Sequence, residues 1–219
     1  MVRVLAVADG VVEKLWTEQV RAYDVALVLG AGDLPFDYLE YLSTELGVPC
    51  VFVPGNHDQD LSGYTKVRGM WTRGGMPVSW PGPAGAVNAD GRVVDVAGLR
   101  IAGLGGCLRY REGANQWTER EQARRGRRVC RRAAARRWWD GRGVDVLLTH
   151  APPFGCGDLD DPPHRGFHCL HDVVRRLRPP LLVHGHVHPE YGPRAREGHL
   201  GNTLLVNAAY HRVVEIPVP

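Results

Sequence analysis

The segment Val48-Pro49-Cys50-Val51-Phe52-Val53-Pro54-Gly55-Asn56-His57-Asp58 joins a short apolar run to a polar loop that contains glycine. An apolar run of this length, bounded by turn residues, is typical of a strand buried on both faces. The pattern occurs twice earlier in the chain, where Val2–Ala8 ends at Asp9-Gly10 and Asp24–Leu29 ends at Gly30-Ala31-Gly32-Asp33. We therefore predict three buried strands, each followed by a polar loop.

Helical patterns separate these three strands. Glu13–Ala22 is one of them, and Pro35–Leu46 is the other, with proline in its first turn and glycine after its end. The resulting β-α-β-α-β series is typical of α/β proteins, whose ligand sites lie at the carboxyl ends of the strands. We expect Asp9, Asp33 and Asn56 to converge there.

The rest of the chain is less regular. Residues 60–90 hold many glycines and prolines and predict loops, with short edge strands at most. The other predicted elements are a hairpin of Arg92–Ala97 and Leu99–Leu104, a helix over Thr118–Asp140 that Thr118 and Glu121 cap, a strand over Val144–Leu148, a helix over Phe167–Leu177, a strand over Pro180–His184, and short strands at 191–196, 203–207 and 212–216. Since no linker or internal repeat interrupts the sequence, residues 1–219 are predicted to form one domain.

The composition favours a globular protein away from membranes. Of 219 residues, 44% are hydrophobic and 23% charged, and no apolar run approaches the roughly 18 residues that cross a bilayer. The chain enters its first apolar run without a charged leader, so we predict no signal peptide, no membrane partner and a cytoplasmic location. Five cysteines that form no Cys-x-x-Cys pair predict free thiols in a reducing compartment.

The charge balance does not by itself imply a polyanionic partner, since 27 basic and 24 acidic residues give a net charge of +3. The basic residues are concentrated in one place, with ten arginines between Arg120 and Arg142. At 100° per residue most of them fall on one half of a helix, opposite Val129, Cys130 and Ala133. A solvated face is the favoured interpretation, and contact with nucleic acid or polyphosphate is the alternative.

Five predicted strand ends present side chains that bind metals. Carboxylate, amide oxygen and imidazole together suit Mn, Fe or Zn, and differ from a thiolate zinc cage. Two such cations, joined by a carboxylate, clamp the attacking and leaving oxygens of a phosphoryl displacement. The candidate ligands are Asp9, Asp33, Asn56, His150, His186 and His188.

Four motifs resemble those of the calcineurin-like metallophosphoesterases, in a small bacterial branch. They are Gly32-Asp33, Gly55-Asn56-His57-Asp58, Thr149-His150-Ala151-Pro152-Pro153 and Gly185-His186-Val187-His188, in the family's order. The combination of Gly-Asn-His-Asp with a later Gly-His-x-His is specific, whereas either alone is only suggestive. Together with the series of strands and helices, the resemblance implies an α/β fold, a four-layer α/β/β/α sandwich of two mixed sheets flanked by helices.

The resemblance also implies hydrolysis of a small phosphate ester with two divalent metal ions, of which Mn is preferred and Fe or Zn are alternatives. Asp33 would bridge the two ions. The second metal site would be completed by Asn56, His150 and His186, and the first by Asp9 and His188. In this scheme a hydroxide held by the metals attacks phosphorus. Neither a monoester nor a diester is favoured.

Two further residues receive catalytic roles from the resemblance. His57 corresponds to the family's histidine that is not a ligand and that protonates the leaving oxygen. Asp58 would orient the His57 imidazole by hydrogen bonding. Three further residues are candidate substrate contacts. His164 and Arg165 are expected to line the substrate mouth beside His150, and Arg109 and Arg165 could contact the phosphate as bidentate donors.

The chain departs from the family at the first motif, where Asp9-Gly10-Val11 stands in place of Asp-x-His. The first metal site therefore lacks an imidazole, and we expect it to be weak or empty. Glu13 could supply a substitute ligand, although a capping or solvated role is favoured for it. This departure keeps open a catalytically weak binding scaffold, like the retromer scaffold subunit. A nuclease that uses the arginine-rich helix is a further alternative.

Other histidines have less demanding interpretations. His184 lies inside a predicted strand and is expected to be a satisfied core histidine. The segment that contains Cys156, His164, His168, Cys169 and His171 superficially suggests zinc, but its spacing fits no standard structural site.

Overall fold

The computed structural model describes residues 1–191 and 196–217. The α-helices are α1 (Phe36–Leu46), α2 (Glu119–Asp140) and α3 (Cys169–Leu177). The strands are β1 (Val2–Ala8), β2 (Leu27–Gly30), β3 (Cys50–Phe52), β4 (Tyr64–Val67), β5 (Met70–Arg73), β6 (Met76–Pro77), β7 (Val87–Asn88), β8 (Val93–Val96), β9 (Leu99–Leu104), β10 (Cys107–Leu108), β11 (Gln116–Trp117), β12 (Val146–Thr149), β13 (Leu181–His184), β14 (Glu197–Leu200), β15 (Thr203–Asn207) and β16 (Tyr210–Ile216).

Two mixed sheets contain most of these strands. The first sheet has the order β16-β1-β2-β3-β7, in which β16 runs antiparallel to β1 and the other neighbours are parallel. The second has the order β14-β15-β13-β12-β9-β8, with parallel pairing at its centre and an antiparallel strand at each edge. The central parallel strands of each sheet end at one edge, which places the loops that follow them side by side.

The sheets pack face to face. Because side chains alternate along a strand, Val4 and Ala6 of β1 point into the space between the sheets, where they join Ile101, Leu148 and Val183 of the second sheet in one buried cluster. The members of this cluster are 4% exposed or less. This inner layer of apolar side chains therefore joins the two sheets.

The outer faces of the two sheets are covered by helices. Leu5 and Val7 of β1 point away from the second sheet and pack with Tyr38 and Leu42 of α1. On the other side, α2 and α3 cover the second sheet with the buried residues Val129, Cys130, Ala133, Leu170, Val173, Val174 and Leu177. The predicted four-layer α/β/β/α sandwich is thus confirmed.

Helix α2 begins as the sequence predicts. The Thr118 hydroxyl accepts the N–H of Glu121, and the Glu121 carboxylate accepts the N–H of Thr118, which forms a capping box. Its arginines at 124, 127, 128, 131 and 132 are exposed, whereas Val129 and Ala133 are buried. The predicted amphipathic surface helix is confirmed.

The predicted helix over Glu13–Ala22 is wrong. The structure has two short 3-10 turns there, Glu13–Trp16 and Glu18–Ala22, separated by Thr17 in an extended conformation. The Thr17 hydroxyl donates to the carbonyl of Lys14 and accepts the N–H of Gln19. These local bonds compete with a continuous helix.

Residues 60–90 are more ordered than expected. Strands β4, β5 and β6 form a small antiparallel sheet, and β7 joins the edge of the first sheet. The strand predicted at 191–196 falls mostly on residues 192–195, which lie outside the described part of the chain, and β14 begins only at Glu197. No helix in residues 1–191 and 196–217 combines the length and apolar character that crossing a bilayer requires.

Candidate metal centre

Asp33 enters the site through a strained loop after β2. Its backbone lies in the left-handed region, with φ of 56°, which is uncommon for a residue other than glycine. The loop approaches Gly55 so closely that a Cβ atom there would lie 2.0 Å from Oδ1 of Asp33. Glycine at position 55 is therefore needed for the contact between these two strand ends.

Three side chains form the only group of possible metal ligands found within residues 1–191 and 196–217. One ligand atom each from Asp33, His150 and His186 lies within 4.8 Å of the others. The side-chain oxygen of Asn56 joins them, because its Oδ1 is 3.0 Å from Nε2 of His150. His150 is fully buried, and Asn56 and His186 are nearly so.

The two imidazoles turn their lone pairs toward this group. Nδ1 of His150 lies 2.8 Å from the carbonyl oxygen of Ala31, and Nε2 of His186 lies 2.7 Å from that of Pro163. A carbonyl can only accept, so these nitrogens donate, and in the neutral rings the other nitrogens carry lone pairs. Those two nitrogens, Nε2 of His150 and Nδ1 of His186, are 3.1 Å apart.

With both rings neutral, four lone-pair atoms therefore face one another. They are Nε2 of His150, Nδ1 of His186, Oδ1 of Asn56 and Oδ2 of Asp33, the last at 3.3 Å from Nε2 of His150. Such a set repels itself unless a proton or a cation lies within it. Oxygen and imidazole nitrogen donors fit a divalent ion of the Mn, Fe and Zn type.

The pKa shifts of Asp33 and His150 favour one positive charge between these two side chains, whereas burial lowers the pKa of His186 well below its ordinary value. Burial opposes ionisation of Asp33, but the neighbouring His150 imidazole and the hydrogen bond with the His57 N–H bring its pKa below the usual value. Burial opposes protonation of His150 as well, yet the Asp33 carboxylate raises its pKa to about 9. A metal ion would take the place of that proton, because a ligating imidazole is neutral.

His57 lies at the entrance of the centre. Its backbone N–H donates to Oδ1 of Asp33 at 2.8 Å, and the residue is exposed. Together with Asp33, Phe36 and Asp58, it lines an open cavity of about 350 Å³. The backbone of His57 is thus fixed next to the group of ligands, and His57 is not a member of that group.

Asp58 supports the loop instead of the His57 ring. Its Oδ2 accepts the backbone N–H groups of Gly55 at 2.7 Å and Asp33 at 2.9 Å, and no hydrogen bond joins these two described side chains, the Asp58 carboxylate and the His57 imidazole. Burial raises the pKa of Asp58. Orientation of His57 by Asp58 stays a prediction.

The residues predicted for the first metal site do not join the group. Both carboxylate oxygens of Asp9 lie 2.9 Å from the backbone N–H of His186, which donates to them. Burial raises the pKa of Asp9 to about 7. His188 is half-buried between the rings of Tyr191 and Tyr210, at centroid distances of 5.4 and 6.3 Å.

Gly10, Val11 and Glu13, the residues at and around the position of the missing histidine, have no hydrogen bond with the ligand group among the described residues. Val11 is half-buried and packs with the apolar layer between β1 and α1. Glu13 is exposed in the first 3-10 turn, which agrees with a solvated carboxylate. A Cβ atom at Gly10 would lie 2.7 Å from the Tyr210 ring, so that ring covers the loop after Asp9.

Of the three candidate substrate contacts, His164 has a ring contact with a member of the ligand group. The His164 ring is 5.5 Å from the His186 ring and is bonded through Nδ1 to Asp161. Arg165 donates to the carbonyl of Asp160. Arg109 donates to the carbonyl of Gln116 and to the carboxylate of Glu121. Arg109 is thus occupied near the start of α2.

Several contributors to the centre carry no signal in the sequence. The carbonyls of Ala31 and Pro163 fix the two imidazoles, but any residue offers a carbonyl. Asn115 donates from its side chain to the backbone carbonyl of Asp58 at 3.1 Å and braces the loop. The feature that distinguishes Asn115 is its left-handed backbone, with φ of 53°, a conformation that asparagine adopts more readily than most residues.

The remaining histidines have structural surroundings. His184 is buried, as predicted, its Nδ1 lies 3.0 Å from the carbonyl oxygen of Gly185, and burial lowers its pKa to about 4. His168 stacks on Phe154, and Nε2 of His171 donates to the Phe154 carbonyl. All five cysteines are free thiols.

Known proteins share both the sequence pattern and the fold. A family model described as calcineurin-like phosphoesterase matches residues 9–190. Metallophosphoesterase domain-containing protein 1 of Homo sapiens is 40% identical over 79 residues, which are 35% of this chain and 23% of that protein. An uncharacterized protein of Haemophilus influenzae is 26% identical over 195 residues, which are 79% of this chain and 76% of that protein.

The chain thus spans less than a quarter of the human relative. Among solved structures, TT1561 of Thermus thermophilus superposes with a TM-score of 0.59 at 14% identity, covering 95% of this chain and 89% of that chain, which shows the same fold. Since the family model covers most of the sequence and includes every member of the ligand group, the chain belongs to the calcineurin-like phosphoesterase family.

Proposed function

We propose that this protein hydrolyses a small phosphate ester with a divalent metal ion held by Asp33, Asn56, His150 and His186. The observation that carries the proposal is the convergence of four lone-pair atoms in a buried group, with both imidazoles oriented by backbone carbonyls. Family membership supports phosphoester hydrolysis as the reaction. The O and N donors favour Mn, with Fe and Zn as alternatives.

When bound, the metal supplies Lewis acidity, which polarises a phosphoryl oxygen and makes water a better nucleophile. The chain's own contribution is to hold the ligand atoms in place. Asp33 does so through its Oδ1, which accepts the His57 N–H, and keeps Oδ2 free to face His150. One carboxylate thus couples the ligand group to the loop that carries His57.

His57 is proposed as the general acid. It must reach the leaving oxygen while staying off the metal, and its exposed position in the cavity beside Asp33 allows both. Its backbone N–H donates to Oδ1 of Asp33, which supports a position of the residue next to a group bound at the centre.

The substrate is proposed to be small. The cavity beside His57 measures about 350 Å³ and is open to solvent, which is at the lower end of the range for ligand pockets. His164 is proposed as a substrate contact, which its ring distance of 5.5 Å from His186 supports.

Purified protein should be assayed with Mn on an aryl phosphate monoester and on the corresponding aryl diester, with metal content measured on the same sample. We expect the protein to hydrolyse at least one of the two esters. We also expect the rate of hydrolysis to follow the metal content of the sample, which would attribute the activity to the metal centre. A sample that holds stoichiometric Mn but hydrolyses neither ester would contradict the proposal.

A metal-binding scaffold is the second candidate. It is favoured by one observation, that Val11 replaces the imidazole of the first motif while both oxygens of Asp9 accept the backbone N–H of His186. A scaffold would retain metal and fold stability without turnover, so the same assay discriminates between the two candidates.

A further inference from the structure

A second cavity opens beside the loop that carries His57. It measures about 290 Å³, and its wall includes Pro54, which precedes that loop, and Asn115, whose side chain donates to the carbonyl of Asp58. The cavity therefore adjoins the loop that carries His57. None of the ligand residues lines it.

The wall of this cavity, named here the arginine pocket, is strongly cationic. Arg92, Arg125, Arg128 and Arg132 line it, against the single carboxylate of Asp90. The whole chain has a net charge of only +3, so this concentration is local. Four guanidinium groups on one small concave surface favour an anion with several oxygens.

Two of the four arginines are engaged by the protein, and this fixes their position. Arg125 pairs with Asp90, donates to the carbonyl of Gly105, and stacks over the Trp117 ring at 4.2 Å. Arg132 donates to the carbonyl of Gly91. These contacts neutralise Asp90 and leave the pocket with a surplus of positive charge.

The other two arginines have free donors. Among the described residues, the side chains of Arg92 and Arg128 have no hydrogen-bond or ion-pair partner, and both are exposed at the rim. Their guanidinium groups can therefore turn toward a ligand without breaking a contact of the fold.

We propose that the arginine pocket binds a short oligophosphate chain. The proposal goes beyond the proposed function and does not rest on it, because the pocket is argued from its own charge and shape. The volume of about 290 Å³ suits one or a few phosphoryl groups rather than a large organic ligand.

The test is calorimetric binding of inorganic tripolyphosphate to the full chain at fixed ionic strength. The test variant is Arg92→Glu with Arg128→Glu. The matched control is Arg124→Glu with Arg131→Glu, which makes the same charge change on the exposed face of α2 outside the pocket. Circular dichroism and metal content establish that each variant is folded and retains its centre.

We expect the test variant to bind tripolyphosphate more weakly by roughly tenfold or more, the effect of losing charge-assisted contacts, and the control to stay within about twofold of the parent. Equal losses in both variants would show a diffuse field effect and overturn the proposal, as would an absence of binding by the parent chain.

Two further arms separate other sources of binding. His186→Ala should keep its affinity for tripolyphosphate, because the pocket does not use that residue, and a loss there would place the anion at the metal centre and overturn the proposal. The second arm measures binding of a single-stranded oligothymidylate. If it binds the parent chain more tightly than tripolyphosphate does, and both arginine variants weaken it equally, α2 is a nucleic-acid-binding surface and the proposal is overturned. Retained tripolyphosphate binding without esterase activity would contradict only the proposed function.

Discussion

Asp9 accepts the backbone N–H of His186 with both carboxylate oxygens at 2.9 Å, and so ties the end of β1 to the loop after β13. His186 has a left-handed backbone with φ of 72°, and this bond helps to hold it there. The contact also requires glycine at position 185, because a Cβ atom there would lie 2.4 Å from Oδ2 of Asp9. Asp9 thus supports the backbone of His186, a member of the ligand group, and is also a predicted ligand of the first metal site.

The two metal sites are predicted to differ in affinity. The second site would have four protein ligands, Asp33, Asn56, His150 and His186, whereas the first would have only Asp9, His188 and the shared Asp33. Each additional ligand adds to metal affinity. After dialysis, metal analysis should find the second site filled and the first depleted.

Val11→His should narrow the difference in metal affinity between the two sites, provided that the loop after Asp9 directs the new imidazole inward. Val11 now packs in the outer apolar layer, so Val11→Ala is the control for lost packing and should leave the metal content unchanged. Two metals retained with equal affinity by the parent chain would reject unequal sites and imply a substitute ligand. Glu13→Gln is the first variant to test in that case.

His57→Ala should lower kcat by about 10²–10⁴-fold for esters with poor leaving groups, the usual range for general acid catalysis. Esters with good leaving groups should be affected much less, because they need no proton. Metal content, measured on the same samples, should stay nearly constant, since only the backbone of His57 contacts a ligand. A large loss of metal would show that His57 is itself a ligand.

Asp58→Ala should weaken metal binding and lower the free energy of unfolding by about 1–3 kcal/mol, because the N–H groups of Gly55 and Asp33 lose their acceptor. Chemical denaturation and metal titration measure the two effects. If Asp58 acted only by orienting His57, its removal would lower kcat and leave stability and metal affinity intact.

Arg100 is predicted to stabilise the edge of the second sheet. Its side chain is 3% exposed and pairs with Asp95 and Asp140. Arg100→Met keeps much of the side-chain volume but removes the hydrogen-bond donors. It should lower the free energy of unfolding, measured by urea denaturation, by roughly 1–3 kcal/mol. The loss stays in this range because the two carboxylates are partly exposed and can be hydrated. Arg136→Met removes an exposed partner of Asp95 and should change stability by less than about 1 kcal/mol.

The sheets could be predicted because their strands are buried on both faces. β1 and β15 agree with the predicted spans. The ends of β2 and β3, the strands that precede Asp33 and Asn56, differ from the predicted ends by only a few residues. The 3-10 turns around Thr17 could not be predicted from apolar periodicity, because a side-chain hydroxyl decides that geometry. The exposed sheet of β4–β6, which has few buried residues, likewise left little apolar pattern.

The candidate site was predictable where residue type decides the chemistry. Asp33, Asn56, His150 and His186 lie together as the motifs indicate. What the motifs could not give is the part played by the backbone, since the carbonyl that orients His150 belongs to Ala31. Nor could they show that Arg109 would already be occupied by Glu121.

Hydrolysis is proposed to depend on an ion held by the buried oxygen and nitrogen donors. The most direct test is the rate of aryl phosphate hydrolysis after chelation, measured as Mn is added back to the parent chain, to His150→Ala and to His199→Ala, an exposed histidine outside the group. We predict that chelation abolishes activity, that Mn restores it in the parent and in His199→Ala, and that His150→Ala stays inactive at the same Mn concentration. Full activity in metal-free protein, or normal restoration in His150→Ala, would contradict the claim.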